Sequence, residues 1–267
     1  MVIRDSTNLV QLEDLYLPYK KKRKTKADAA REKGLEPLAK ILMAQNISDF
    51  KSAAKKFVQK DIFSVEEAIQ GAQDIAAEWI NENGDVRKRL RRLYQDSATI
   101  SAKVIKKKEG EEAAQKFKTY FDWQEQLKKI PSHRLLAILR AETEGFIRMK
   151  IEVEKEQSLR IIERQVVKDP RNSCTPYVKE ASEDAFKRLL DPALSKEVLS
   201  TAKEKADVEA IKVFADNLKQ LLLAPPLGQK RILALDPGFK SGCKLVCLDE
   251  SGELQHNETI FPKDLRK

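Results

Sequence analysis

Cysteine is scarce in this 267-residue sequence. Cys174, Cys243 and Cys247 form an odd set with no CxxC spacing, which excludes a disulfide framework or a zinc ribbon and leaves reduced, buried structural thiols as the expectation. Glycine (9) and proline (10) are also few, too few for the tight turns of an all-β fold, so helices should dominate. No run of about 18 apolar residues occurs, and Met1-Val2-Ile3-Arg4-Asp5-Ser6 lacks the apolar core of a secretory signal. A cytoplasmic protein with no membrane partner is the expectation. GxxxxGK[ST] and GxGxxG loops are missing as well, which removes the common nucleotide cradles.

Positive charge is what the chain has in excess: 51 Lys+Arg against 42 Asp+Glu, a net +9. It is clustered. Lys20, Lys21, Lys22, Arg23, Lys24 and Lys26 form one run, Arg87, Lys88, Arg89, Arg91 and Arg92 a second, and Lys106, Lys107 and Lys108 a third. These clusters together exceed the net surplus, so the remainder is slightly acidic. Clustered cations make a field that attracts phosphates, and the implied partners are RNA and/or DNA, held by backbone contacts that weaken steeply with salt. The competing reading of any single run is a solvated helix face. Tyr16 and Tyr19 flank the first run and are read as core residues, with stacking on bases as the alternative.

The first segment reads as short helices: one around Leu12 and Leu15 stopped at Pro18, one from Ala27 to Lys33 closed by Gly34, one opened by Glu36-Pro37. Ser64 with Glu67 fits a capping box, and Ala68, Ile69, Ala72, Ile75, Ala76, Trp79 and Ile80 recur at helical spacing up to Gly84. Asp85 is then expected to cap a helix from Val86 to about Gln95, with Val86, Leu90 and Leu93 packed and the cations outward. Ser97 to Val104 and Phe146 to Val153 read as short strands or extended links, and Ser132 to Ala141 as a capped helix ending at Gly145.

The longest element is expected to start at Asp191-Pro192, with Asp as the cap, and to run to Pro225-Pro226. Its stripe is Leu194, Val198, Ala202, Val208, Ile211, Ala215, Leu218 and Leu222, and some 30 residues at about 1.5 Å each make a rod of roughly 45 Å. Beyond it the period changes. Ile232 to Leu235, Lys244 to Leu248 and Leu254 to Phe261 read as strands separated by the turn sequences Asp236-Pro237-Gly238 and Asp249-Glu250-Ser251-Gly252. Three antiparallel strands have no evident cover for their apolar faces, so the chain reads as a fragment.

Leu233-Ala234-Leu235-Asp236-Pro237-Gly238 delivers one carboxylate at the end of an apolar strand, where metal-binding Asp residues sit in nuclease sheets. A two-metal site needs several carboxylates to hold Mg²⁺ ions, and an ordinary turn is the competing reading of Asp-Pro-Gly. His133, beside Arg134, is a phosphate-contact candidate set against simple helix-start polarity.

Several stretches together resemble the Tex family of bacterial transcription accessory proteins: Leu12 to Lys20 (LEDLYLPYK), Arg31 to Ala39 (REKGLEPLA), Ile130 to Arg134 (IPSHR), Glu142 to Gly145, and Leu222 to Pro226 (LLAPP). The resemblance covers essentially the whole chain. It implies a mainly α fold, with a multi-helical N-terminal region and a long central helix followed by the first β-strands of a ribonuclease H-like (YqgF) α/β domain. The expected division is 1–190 helical, 191–227 linking helix, and 228–267 the truncated start of the YqgF domain. The resemblance further implies nucleic-acid binding in transcription and possible partners among RNA polymerase and the elongation machinery. It places Asp236 where resolvase-type nucleases hold their first metal-binding carboxylate, in a domain whose family members look catalytically degenerate. The family's helix-hairpin-helix and S1 modules have no counterpart here. The leading expectation is therefore a non-enzymatic nucleic-acid-binding scaffold with no cofactor. A metal-dependent nuclease using Asp236 with Mg²⁺ and a protein-interaction scaffold are the alternatives.

Overall fold

A computed structural model describes residues 9–20, 24–59, 62–225, 227–238 and 242–261. By contacts the chain divides into a unit Met1–Ile211 and a unit Lys212–Lys267. The fold class is the expected one, mainly helical with small antiparallel sheets.

The first unit opens with α1 (Leu9–Tyr16), which tightens into a 3₁₀ turn over Leu17–Tyr19 at Pro18. Next come α2 (Lys26–Glu32), α3 (Glu36–Ala44) and α4 (Phe50–Lys55). A reciprocal capping box starts α2: Asp28 N–H donates to Thr25 Oγ1 at 3.1 Å and Thr25 N–H to Asp28 Oδ2 at 2.9 Å. Helix α5 (Val65–Glu82) is the hub, packed against α2, α3 and α4. Glu67 N–H donates to Ser64 Oγ at 3.1 Å as the capping pair predicts, but the Glu67 carboxylate accepts from Phe63 N–H, one residue earlier than a box requires. Ala68, Ala72, Ile75, Ala76 and Ile80 are fully covered, and each large aliphatic among them contributes about 1.5–3 kcal/mol of burial. Gly71 permits the close approach of α5 to the α2–α3 corner, since a Cβ there would lie 2.3 Å from Leu35 Cδ1.

Helix α6 (Gly84–Ser97) follows at once. Its cap is Asn83, not Asp85: Asn83 Oδ1 accepts from the N–H groups of Asp85 (3.0 Å) and Val86 (3.1 Å). The expected extended pieces are strands β1 (Thr99–Val104) and, after α7 (Glu112–Gln115), β3 (Ile147–Glu152), with β2 (Asp122–Gln126) as an unforeseen third member. The sheet order is β2-β1-β3, antiparallel, with Lys103 opposite Asp122 and Arg148. Ile100, Ala102, Ile147 and Ile151 turn one face to the core beside α8 (Ser132–Thr143), while α9 (Lys155–Val166) packs against α6.

Asp191 does not start a helix. Helix α10 (Thr175–Asp184) passes through a π-helical turn over Ala185–Leu190 into α11 (Asp191–Leu222), and Asp191 is itself helical, its N–H bonded back to Phe186. Pro192 cannot donate to the carbonyl four residues back and its ring crowds that carbonyl, so the wider π turn accommodates it. The Asp191 carboxylate accepts instead from Tyr94 Oη and from Ser195 Oγ at 3.3 Å. Burial and this carboxylate push the Tyr94 phenol well up from its ordinary value. The stripe of α11 packs only in part. Leu194 and Ala206 are buried and Val198 and Ala202 lie against the core, whereas Val208, Ile211, Leu218 and Leu222 are exposed.

In the second unit β4 (Ile232–Gly238), β5 (Gly242–Leu248) and β6 (Leu254–Ile260) form an antiparallel sheet in that order. Asp236-Pro237-Gly238 is strand rather than turn: Asp236 stands opposite Lys244 and Pro237 opposite Cys243. As an edge strand β4 tolerates a residue without an N–H. The second expected turn is present, with the Asp249 carboxylate accepting from the N–H groups of Ser251 and Glu253 and with Gly252 at φ +84°. Of the cysteines only Cys174 is fully buried, Cys243 and Cys247 being half-buried. Among the described residues no helix is long and apolar enough to cross a membrane.

Candidate nucleic-acid interface

Helix α6 carries five of the expected phosphate contacts, and its register sorts them into two groups. Val86, Leu90, Leu93 and Tyr94 face the core. Arg87 lies nearest that face and is buried, at 8% exposure. Its Nε donates to Asp14 Oδ1 of α1 at 2.6 Å and its Nη1 to Asn81 Oδ1 at 3.3 Å. Arg91, one turn on, donates from Nη2 to both Asp14 oxygens at 3.0 and 2.8 Å and from Nε to Glu197 of α11. Burial works against the Arg91 charge, but the hydrogen bonds to Glu197 and Asp14 outweigh it and hold the guanidinium above its usual value. The expectation that all cations of this run face outward is thus corrected for Arg87 and Arg91. Their charge is taken up by carboxylates, because an arginine at the margin of a packed face must be paired when it loses water.

Lys88, Arg89 and Arg92 are exposed. Together with Asp85 and, from α9, Ile161, Arg164 and Gln165 they line a groove of about 450 Å³. Among the described residues these four cations have no ion pair, and Asp85 is the groove's one carboxylate. Arg164 was not singled out from the sequence. Its signal there is faint: Arg160 and Arg164 lie one helical turn apart, and Arg160 pairs with Glu156 at 3.6 Å.

The first basic run is placed in part. Lys21, Lys22 and Arg23 fall outside the described residues. Lys20 and Lys26 are exposed, and Lys24 pairs with Glu32 at 2.7 Å while remaining largely in solvent. Tyr16 and Tyr19 are not core residues, being 51% and 74% exposed, since α1 turns its Asp14 side toward α6. His133 is exposed at the start of α8, while Arg134 donates to Glu125 at 2.6 Å. Lys106–Lys108 form a short 3₁₀ segment with the Lys108 ammonium 5.3 Å from the Phe146 ring centre.

Asp236 is exposed on β4. Among the described residues no group of three or more His, Cys, Asp or Glu is gathered in a way that could hold a metal ion. Among these residues the further carboxylates that a Mg²⁺ site would need are not assembled around Asp236.

Residues 46–214 match the family described as Tex central region-like. The chain belongs to the Tex family. Residues 230–267 match the Tex protein YqgF-like domain. Among curated relatives, protein YdcI of Bacillus subtilis is 38% identical over 97% of this chain and 36% of its own length. Transcriptional accessory protein Tex of Neisseria gonorrhoeae is 36% identical over 97% of this chain and 35% of its own. The human S1 RNA-binding domain-containing protein 1 is 28% identical over 94% of this chain and 26% of its own. The chain therefore spans about a third of the length of the bacterial relatives it matches. The α6–α9 groove lies within the span matched to the Tex central region and Asp236 within the YqgF-like span, whereas Asp14, Tyr16, Tyr19 and Lys20 precede both.

Proposed function

We propose that this chain binds the phosphate backbone of RNA or DNA through the groove between α6 and α9, as a non-enzymatic part of a Tex-type transcription accessory factor. The observation that carries the reading is the set of four unpaired cations, Lys88, Arg89, Arg92 and Arg164, converging from two helices on one groove. Four like charges brought together around the single carboxylate of Asp85 leave a positive excess that raises the energy of the free surface and is relieved by an external polyanion. Long cationic side chains on an open groove reach phosphate oxygens whatever the base, so the contact is read as one that positions a backbone. That one relative is named a transcriptional accessory protein and another an S1 RNA-binding domain protein supports the same direction. Among the described residues Asp236 has no cluster of carboxylates around it of the kind metal-assisted hydrolysis requires, which supports the non-enzymatic reading.

The test is titration of labelled RNA and DNA duplexes of unrelated sequence, at rising salt. Binding is expected at low salt, similar across sequences, and falling steeply with ionic strength. No binding at low salt refutes the proposal, and Mg²⁺-dependent cleavage lost in Asp236→Asn refutes its non-enzymatic part.

A further inference from the structure

The groove explains how a backbone is held but says nothing of bases, and its lining contains no aromatic ring. The exposed aromatics of the first unit lie elsewhere. Of the five tyrosines, Tyr94, Tyr120 and Tyr177 are packed into or against the core, while Tyr16 and Tyr19 stand in solvent. Three features distinguish this pair from scattered surface residues.

Their spacing is fixed. Leu17–Tyr19 is a 3₁₀ turn, Tyr16 enters it at φ −83° and ψ −19°, and Lys20 N–H closes it on Leu17 O at 3.4 Å. Side chains three apart in a 3₁₀ helix eclipse, with a rise of about 2 Å per residue, so the two rings spring from the same edge about 6 Å apart. One stacked base occupies about 3.4 Å of axis, so a ring on either side of one base calls for about 7 Å. Pro18 stiffens the turn between the rings.

Their support is rigid. The Asp14 carboxylate, two residues before Tyr16, is clamped by Arg87 and Arg91 of α6, so the tyrosines stand on a helix bolted to the element that carries the groove cations. Charge accompanies them, because exposed Lys20 follows Tyr19 directly.

We propose that Tyr16 and Tyr19 form a stacking platform that takes an unpaired base of single-stranded nucleic acid, with Lys20 on the adjoining phosphate. The proposal rests on the nucleic-acid reading of this chain for the class of polymer and adds the site that distinguishes a single strand from a duplex. Stacking of this kind is tolerant of sequence, since every base has a π face.

The experiment measures affinity of the 267-residue chain for three labelled probes: an oligo(dT) strand, a strand of equal length with abasic sites, and a blunt duplex. Tyr16→Ala/Tyr19→Ala is expected to weaken oligo(dT) binding roughly 5- to 150-fold, leaving the abasic strand and the duplex unchanged. Tyr16→Phe/Tyr19→Phe keeps the rings and should keep the affinity. Thermal melting confirms that each variant is folded. The platform is refuted if the parent binds oligo(dT) and the abasic strand equally, or if the alanine pair leaves all three affinities unchanged or lowers all three together. The groove is tested separately by Arg89→Glu/Arg92→Glu, which should weaken all three probes. If it weakens none, the groove reading fails while the ratio of oligo(dT) to abasic affinity still reports on the tyrosines.

Discussion

Arg87 and Arg89 are the same residue type, two positions apart on one helix, and their replacement by alanine should give opposite phenotypes. Arg89 faces the groove without a carboxylate partner. If it meets one phosphate, its loss should reduce the slope of log affinity against log salt for duplex DNA by about 0.9. Between roughly 50 and 200 mM salt this is about a 3.5-fold narrowing of the gap between parent and variant, and the four groove cations together would produce a fall of roughly 150-fold over that range. Stability should barely move, because the side chain is exposed and unpaired. Arg87 is 8% exposed and holds Asp14 at 2.6 Å. Removing one member of such a pair leaves a poorly solvated charge and costs about 3 kcal/mol, offset in part because Asp14 keeps Arg91. The salt slope should be that of the parent. Fluorescence anisotropy across a salt series and urea denaturation of the same preparations separate the two quantities. If Arg87→Ala and Arg89→Ala shift slope and stability alike, the division of α6 into building and binding cations is wrong.

Three other substitutions probe the frame. Gly71→Ala places a methyl 2.3 Å from Leu35 Cδ1 in a spot where Leu35 is fully enclosed, and should cost about 1–3 kcal/mol; an unchanged urea midpoint would contradict the close packing of α5 on the α2–α3 corner. Asp14→Asn removes the charge that Arg87 and Arg91 share, and should expose α1 to limited proteolysis at concentrations that leave α5 intact; equal protection in parent and variant would show that the clamp is dispensable. Burial raises the Asp74 carboxyl above its usual value, so the fold favours its protonated form. That contribution is present below the unfolded-state value and lost as pH rises through the folded one. Asp74→Asn should therefore stabilise the chain at neutral pH and lose its advantage below the carboxylate range, and urea midpoints at the two pH values check the sign.

What was legible in the sequence was local. Helix α5 announces itself through Ser64 and a stripe of small and aliphatic residues, and β1 and β3 through alternation. Strand β2 does not, because none of Asp122-Trp123-Gln124-Glu125-Gln126 is fully buried and it needs little apolar pattern, whereas β3 buries Ile147 and Ile151. Asn83 and Asp85 are both good caps two residues apart, and only the backbone shows which oxygen receives the free N–H groups. Asp191-Pro192 carries the signature of a helix start inside a helix, since a π turn can absorb a proline and leaves no mark of its own in sequence. The fate of Arg87 and Arg91 could not be read at all, for their carboxylates lie 73, 77 and 106 positions away.

The sorting of the α6 cations still follows from helical periodicity once the neighbours are known. With Val86, Leu90, Leu93 and Tyr94 defining the inward direction, about 100° per residue puts Arg87 and Arg89 on the two flanks at similar angles, Arg91 farther round on the Arg87 side, and Lys88 and Arg92 opposite the core. Periodicity alone makes the flanks equivalent. They differ in what stands beside them: α1 and α11 bring Asp14 and Glu197 to one flank, while α9 brings Arg164 to the other. One flank is neutralised from within and becomes part of the frame. The other gathers four cations around the one carboxylate of Asp85, and the positive excess left among the described residues is matched by a partner that carries negative charge of its own.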